Sequence, residues 1–354
     1  MVNYEQKNDF VSIIMPLFNR ADLMDETISS VINQAYSSWE LIIVDDGSTD
    51  GSFEKALQYS IDDSRIKVFK RESGQKGASD CRNMGFEKAE GFFIIFLDSD
   101  DLLSFNCLEN RIKMFKENKD YDFLVFPILL FQKRLNDINK LWNIDEPNIE
   151  DHLRFLKGDA LWQTMGPIYK KEFLSQLPGV FDTNLAYWQD YDLHLRLVLK
   201  PSKYKKFLHL QPDCFHRIHA SSISHSGAFP IEVLRSRNLV LSKIWALLKK
   251  RRNKEAEAIP YFKGNLFFNV LIKSIELKHW TYSCQTLWHY VITGLVSVTE
   301  LFKFQILILV HVLNFEYKKI NFKSLVSFFF KSYWFESKIG ANNLNNSNNF
   351  HFQN

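Results

Sequence analysis

The first half of this chain predicts an α/β fold: a Rossmann-like, mostly parallel sheet flanked by helices, with a helical region after it. Three observations carry that expectation. The runs Leu41-Ile42-Ile43-Val44 and Phe92 to Leu97 have the length and the branched or aromatic content of strands buried on both faces. Each run ends in an acidic cluster, Val44-Asp45-Asp46-Gly47-Ser48 in one case and Leu97-Asp98-Ser99-Asp100-Asp101 in the other. Helical periodicity fills the intervals, as right-handed crossovers between parallel strands require.

Taken in order, Val11 to Met15 reads as the first strand, ended by Pro16, with Asn19 and Arg20 in the turn that follows. A helix starts near Asp22, supported by Leu23, Ile28, Val31 and Ile32, and Leu41 to Val44 is the second strand. Gly47-Ser48-Thr49-Asp50-Gly51 gives a tight turn and an N-cap for a helix from Phe53 to Tyr59, and Ile66 to Phe69 is a third strand. The glycine-containing loop from Gly74 runs into a helix that Ser79 or Asp80 can cap and that ends near Ala89. Backbone amides at such a helix start suit an anion. After the strand at Phe92 to Leu97 come a helix around Leu108 to Phe115 and a strand from Asp122 to Pro127.

This alternation makes residues 1–130 a nucleotide-binding half. Residues 131–226 are less regular and richer in Trp, Tyr and His, with one helical stretch from Trp188 to Leu197. Residues 227–340 read as long apolar and basic helices, and the Asn-rich tail 341–354 cannot supply a core and is expected to be disordered.

Composition bounds the partners. With 354 residues, 46% of them hydrophobic, the chain can hold a full α/β domain and a smaller unit. Its net charge of +3 gives no argument for nucleic acid. Cys81, Cys107, Cys214 and Cys284 form no C-x-x-C pair, so neither a disulfide framework nor structural zinc is expected. The apolar run after the polar first ten residues is short and holds Pro16, unlike a signal peptide. A cytoplasmic location follows.

In open α/β sheets ligands bind beyond the carboxyl ends of the strands, so both acidic clusters face one site. Clustered aspartates repel one another, and a divalent cation relieves that repulsion while leaving positions free for a phosphate. A metal and nucleotide site is the reading.

Six ordered segments then resemble the family 2 glycosyltransferases, enzymes of the GT-A fold that transfer a sugar from a nucleotide diphosphate sugar. They are Pro16-Leu17-Phe18-Asn19, Val44 to Asp50, Ala78 to Asn83 leading to Gly85, Leu97 to Asp101, Gln189 to Leu193, and Arg217 to Ser224. One such segment is a weak signal; all of them in order, each at a predicted strand or helix end, are a strong one.

The resemblance implies roles. Asp100 is the direct ligand of Mn²⁺ or Mg²⁺, and Asp98, with Ser99 beside it, lies near the ribose and metal. Asp46 accepts a hydrogen bond from the base, for which uracil offers an N–H, so a UDP sugar is the donor expected. Pro16 and Asn19 border the nucleotide or simply make a turn. Arg82 suits the diphosphate or a structural ion pair equally well. Asp190 is the general base that takes the acceptor proton in an inverting transfer. Relatives usually carry Glu-Asp where this chain has Gln189-Asp190, and Gln189 can bond a sugar but cannot be a base. Asp50 and Asp101 are read as turn and capping residues. Arg217 is a phosphate contact and His219 a metal or phosphate contact, on a loop where Ser222 and Ser224 also fit and His216 stands in place of Tyr. Trp162 and Trp188 are candidates to stack on an acceptor sugar, with core packing as the commoner use of such rings.

In the C-terminal region Lys249 to Lys254 is a basic run beside an apolar helix, and Leu295 to Leu313, the most apolar window, is interrupted by Glu300, Lys303 and His311. It is too interrupted to span a bilayer. Phe328-Phe329-Phe330 and Tyr333-Trp334-Phe335 read as exposed aromatics, and together these features suit a membrane surface.

The expected protein is therefore an inverting, metal-dependent glycosyltransferase acting on a glycan or lipid-linked acceptor in surface polysaccharide synthesis, peripheral on the cytoplasmic face of the membrane. Its oligomeric state is open. Two alternatives stand beside it. A non-catalytic sugar-nucleotide-binding subunit would keep Asp46 and the metal pair and lose the base. A nucleotidyltransferase would need a glycine-rich basic loop after the first strand, and Pro16 to Asn19 does not supply one.

Overall fold

Strand β1 (Val11–Leu17) lies inside the larger of two sheets, and all its residues except Pro16 are buried. It pairs in parallel with β2 (Trp39–Asp45), which pairs with β3 (Ile66–Lys70), and on its other side with β4 (Phe93–Phe96). The structure, a computed structural model, describes residues 9–72, 76–142, 145, 148–219, 230–250, 257–317, 326 and 328–330. Helices α1 (Met24–Ile32), α2 (Ser52–Asp62) and α3 (Ala78–Lys88) make the crossovers. Every residue of β2 is buried, as a strand covered on both faces requires. The chain steps outward from β1 to β3 and then returns to the opposite side of β1 for β4. That reversal opens a crevice at the carboxyl ends of β1 and β4.

Pro16 does not end β1; the strand continues through it to Leu17. The β4 register stops at Ile14, so Pro16 lies beyond the last pairing on that side, where its missing N–H leaves no ladder bond unmade. Nor do Ser79 or Asp80 cap α3. Gly77 holds the cap position with φ +146°, and Ser79, the second residue of the helix, is buried. Helix α3 approaches β1 so closely at Gly85 that an added Cβ would lie 2.5 Å from Ile14 Cγ2.

Past β4 come β5 (Leu102–Leu103), α4 (Cys107–Glu117), β6 (Phe123–Val125), β7 (Ile128–Phe131), β8 (Lys140–Leu141), α5 (Asp151–Leu156), β9 (Pro167–Lys170), α6 (Lys171–Ser175), α7 (Gln189–Val198), β10 (Tyr204–Lys206) and β11 (Cys214–Arg217). The larger sheet runs β10-β6-β9-β4-β1-β2-β3, with β9 antiparallel to both neighbours. A second sheet, β5-β11-β7-β8, stands beside it. The buried Arg111 guanidinium grips Asp213 through two bonds of 2.8 and 2.6 Å, tying α4 to the chain that enters β11.

The C-terminal helices are α8 (Ile231–Lys250), α9 (Ala258–Leu266), a π-helical turn (Phe267–Ile272), α10 (Lys273–Glu276), α11 (Trp280–Ile292) and α12 (Val298–Tyr317). They share one apolar core with the larger sheet, continuous from Ile14, Ile42 and Phe96 through Trp162 and Leu195 to Phe262 and Phe304. Phe330, expected to be exposed, is buried against Phe267 and Phe304, whereas Phe328 is exposed. Gly74, Ser222, Ser224, the basic residues from Arg251 to Lys254, Tyr333-Trp334-Phe335 and the Asn-rich tail lie outside the described residues.

Candidate active site

The crevice is built from three loops laced together. At the end of β1, Asn19 takes a left-handed backbone (φ +50°), its amide donating to Ser48 Oγ at 3.0 Å and its side-chain oxygen accepting from the Thr49 amide at 2.8 Å. The Arg20 amide donates to Ser52 Oγ and the Ala21 amide to Asp50, so Asp50 is indeed turn chemistry. Asp45 accepts from the Gly47 and Ser48 amides and shapes the turn after β2. Asp46 is left pointing at a different partner. Arg71, just past β3, donates through Nε to its carboxylate at 2.5 Å. Arg71 was not among the sequence-derived candidates, although a basic residue at the carboxyl end of a neighbouring parallel strand is a usable signal.

Beyond β4, Asp98 and Asp100 part company. Arg82 Nη2 on α3 donates to Asp98 at 2.6 Å, while its own Nε and Nη1 are buried with no hydrogen-bond partner among the described residues. Asp100 Oδ2 meets Arg20 Nε at 3.1 Å and His219 Nε2 at 3.0 Å. Burial would raise the Asp100 carboxyl; His219 and Arg20 outweigh it and hold it below the ordinary range. Ser99 is buried between the two. Asp101, read as a helix cap, instead braces the second sheet. Its carboxylate is buried and accepts from the Arg217 amide at 2.8 Å and faces His216 Nδ1 at 3.0 Å. Burial lifts this carboxyl to about 6.

Arg217 is likewise engaged by the protein, donating to the Asp100 carbonyl at 2.9 Å and to Glu26 at 2.6 Å. It fixes the loop that carries Asp100. Among the described residues no three His, Cys, Asp or Glu side chains converge as a metal cage. The Asp100 carboxylate suits a hard cation that takes its remaining ligands from a diphosphate and water, and the His219 imidazole touching it at 3.0 Å adds a nitrogen donor that suits a transition ion such as Mn²⁺ better than Mg²⁺.

Asp190 and Gln189 open α7. Asp190 Oδ1 accepts the Tyr191 amide at 2.8 Å, and the group lies within electrostatic reach of Arg82 and Asp98. Burial raises its carboxyl above the ordinary range, with Arg82 opposing and Asp98 reinforcing. Gln189 donates to the Ala186 carbonyl at 2.9 Å. Trp188 holds a left-handed backbone (φ +64°), its indole against Tyr191 on one contact and under Arg237 of α8 at 4.7 Å on another. Asp192 is turned into the core, bound to Arg196 at 2.8 Å, and is no competitor for the base. Trp162 is a correction: at 1% exposure, packed on Phe155, Phe123 and His194, it cannot reach an acceptor.

Sequence reading also missed what holds α7. Ser236 Oγ accepts the Tyr187 amide, Arg237 covers Trp188, and Asn265 Nδ2 donates to Tyr191 Oη at 3.0 Å. Lys243 meets Asp182 just upstream. The C-terminal helices thus position the segment from Asp182 to Tyr191.

Comparison with known proteins gives this arrangement its relatives. WfgD of Escherichia coli, a UDP-Glc:alpha-D-GlcNAc-diphosphoundecaprenol beta-1,3-glucosyltransferase, is 46% identical over 108 residues, 30% of this chain and 42% of that protein. TuaG of Bacillus subtilis (strain 168), a glycosyltransferase named for teichuronic acid biosynthesis, is 41% identical over 107 residues, 30% of this chain and 42% of that one. The chain spans less than half the length of these relatives. S. aureus TarS residues 1–349 in complex with UDP-GlcNAc superposes with a TM-score of 0.63 at 19% identity, covering 85% of this chain and 87% of that one, a likeness of fold. The profile of Glycosyl transferase family 2 matches residues 12–191, a stretch holding Asp46, Asp98, Asp100 and Asp190; the chain belongs to glycosyltransferase family 2 and has its GT-A fold.

Proposed function

We propose that the chain is an inverting, metal-dependent glycosyltransferase moving a sugar from a UDP sugar to a hydroxyl of a lipid-linked or polysaccharide acceptor in cell-surface glycan synthesis, at the cytoplasmic face of the membrane. The observation that carries this is the meeting of Asp46 with Arg71, Asp98 with Arg82, and Asp100 with His219 at one sheet end, with Asp190 in electrostatic reach. A carboxylate beside a guanidinium matches an N–H beside a carbonyl, the edge uracil presents. UDP in the TarS complexes and UDP-Glc in the name of WfgD support the same donor class. The diphosphoundecaprenol acceptor in the WfgD name supports a lipid-linked acceptor, and the teichuronic acid in the TuaG name a surface polymer.

In this reading Arg82, bonded to Asp98, lies beside the donor diphosphate, and Asp100 with His219 would hold Mn²⁺ or Mg²⁺. The ion supplies charge stabilisation for the departing diphosphate. Asp190 takes the acceptor proton from the face opposite the leaving group, the geometry of inversion. Gln189 and Trp188, at the start of α7, border the acceptor.

The test is nucleoside diphosphate release from a panel of UDP, GDP and dTDP sugars, with Mn²⁺ or Mg²⁺ and with EDTA, in wild type and Asp100→Ala. Release from a UDP sugar that EDTA and the substitution both abolish is the expected result. UDP binding with no turnover of any donor, even with membrane lipid extract as acceptor, would favour the binding-subunit alternative.

A further inference from the structure

Among the described side chains, the hairpin of α11 and α12 presents an outer side without Asp, Glu, Lys or Arg. Between Trp280 and Phe315 the only Asp, Glu, Lys or Arg residues are Glu300 and Lys303, and both turn inward. Glu300 is 5% exposed, its carboxylate bonded to Lys263 at 3.0 Å and to the Ser297 amide and hydroxyl. Lys303 donates to the Phe329 carbonyl at 3.2 Å and lies 5.8 Å from the Phe330 ring centre. The large apolar residues that face out are Trp288, Ile292, Val298, Phe302, Ile306 and Leu309, from 43% to 80% exposed, with Gln285, His289, Ser297, Thr299 and Gln305 exposed among them. A surface helix pair normally gives that side to charged residues, and an apolar patch there marks a contact surface.

Three contacts fix where the basic residues lie relative to this patch. Tyr282 Oη donates to the Leu234 carbonyl at 3.0 Å, Tyr290 Oη to Asn238 at 3.0 Å, and the Ser242 and Tyr290 hydroxyls meet at 3.2 Å. Helix α8 therefore runs beside α11 in the same direction. Its last two turns, ~12 Å beyond Ser242 at 1.5 Å per residue, reach the end where α11 turns through Gly294 into α12. Leu247, Lys249 and Lys250 are exposed there, and Arg251, Arg252 and Lys254 follow in the sequence. Apolar and basic groups share one end of the bundle.

We propose that this end seats on an anionic lipid bilayer, with Trp288, Ile292, Val298 and Phe302 entering one leaflet and the basic end of α8 meeting headgroup phosphates. No helix among the described residues is long and apolar enough to cross a membrane, so the contact is with a single surface. A second copy is the poorer occupant: a twofold contact centred on this end would bring both copies' lysines together, whereas an anionic surface takes all of them. The inference rests on the proposed function and deepens it. The first half of α8 holds Tyr187 and Trp188, so docking its far end orients the acceptor side of the site towards the leaflet that carries a lipid-linked acceptor.

Flotation of the full chain with vesicles tests this, phosphatidylcholine alone against phosphatidylcholine mixed with phosphatidylglycerol. The wild type is expected to float with the mixed vesicles. Ile292→Glu/Val298→Glu should lower the bound fraction about tenfold or more, and Lys249→Gln/Lys250→Gln about fivefold per charge, on the anionic vesicles only. Absence of flotation, flotation unchanged by Ile292→Glu/Val298→Glu, or a dimer in sedimentation that those changes dissolve without any vesicle binding, would each overturn the proposal. UDP binding by calorimetry runs alongside. Loss of flotation with UDP binding intact sinks the membrane contact alone, whereas flotation without UDP binding sinks the functional reading alone.

Discussion

Replacing Asp190 by Asn separates chemistry from architecture. The carboxylate's one defined bond is from the Tyr191 amide to Oδ1 at 2.8 Å, and an asparagine oxygen of the same size can keep it. Helix α7 is anchored elsewhere, by Asn265 on Tyr191 and Ser236 on Tyr187, so the variant should fold and melt like the wild type. What it loses is the ability to accept a proton. A positioned general base contributes about 10²–10⁴-fold, or roughly 3–5 kcal/mol of barrier. Transfer should fall by that factor, while the affinity for UDP, held by Asp46 and Arg71 on the far side of β1, changes by less than about twofold on a calorimetric scale where a factor of ten is 1.4 kcal/mol. Because burial raises the Asp190 carboxyl, the wild-type kcat/KM should decline on acidification through a pKa above the ordinary carboxylate value, and that limb should vanish in the variant. A fall of less than tenfold, or an equal loss of UDP affinity, would refute Asp190 as the base.

Three further outcomes are expected. Arg71→Met should weaken UDP binding at least about tenfold, the worth of a hydrogen bond to a charged group, as measured by titration calorimetry. Gly85→Ala places a Cβ 2.5 Å from Ile14 Cγ2 and should cost about 1–3 kcal/mol in chemical denaturation. His194 is buried against Tyr169 Oη at 3.0 Å, and burial pushes its pKa down to about 3, so the unfolded chain binds the extra proton first. Its contribution is whole above the ordinary pKa of about 6.5 and is lost below it, at up to 1.4 kcal/mol per pH unit, or about 2 kcal/mol by pH 5. Denaturation of His194→Gln at both pH values should show that much less acid sensitivity.

Much of the catalytic half was legible because its signals are local. An apolar run that must be buried on both faces announces a strand at Leu41 to Val44 or Phe93 to Phe96, and acidic residues directly after it announce the site. Asp46, Asp98 and Asp100 reach the same end of the sheet for that reason, whereas Asp190 opens helix α7. Half of the second sheet left no such trace: β5 and β8 are two residues each and exist only through their neighbours. Asp101 looked like a helix cap because capping is a local habit, yet its partners are His216 and Arg217, brought to it by the pairing of β5 with β11. Trp162 could be proposed for an acceptor only until its surroundings were known.

The amino-acid order by itself determined the parallel nucleotide-binding half, the family and the acidic residues at strand ends, since each depends on spacing along the chain. Tertiary structure alone decided that Arg71 pairs with Asp46, that the C-terminal helices hold the segment carrying Asp190, and that Glu300 and Lys303 turn inward. A charge counts the same in a hydropathy window wherever it points. Only packing assigns it to the core or to the surface, and here that assignment turns Glu300 and Lys303 away from the outer side of the hairpin.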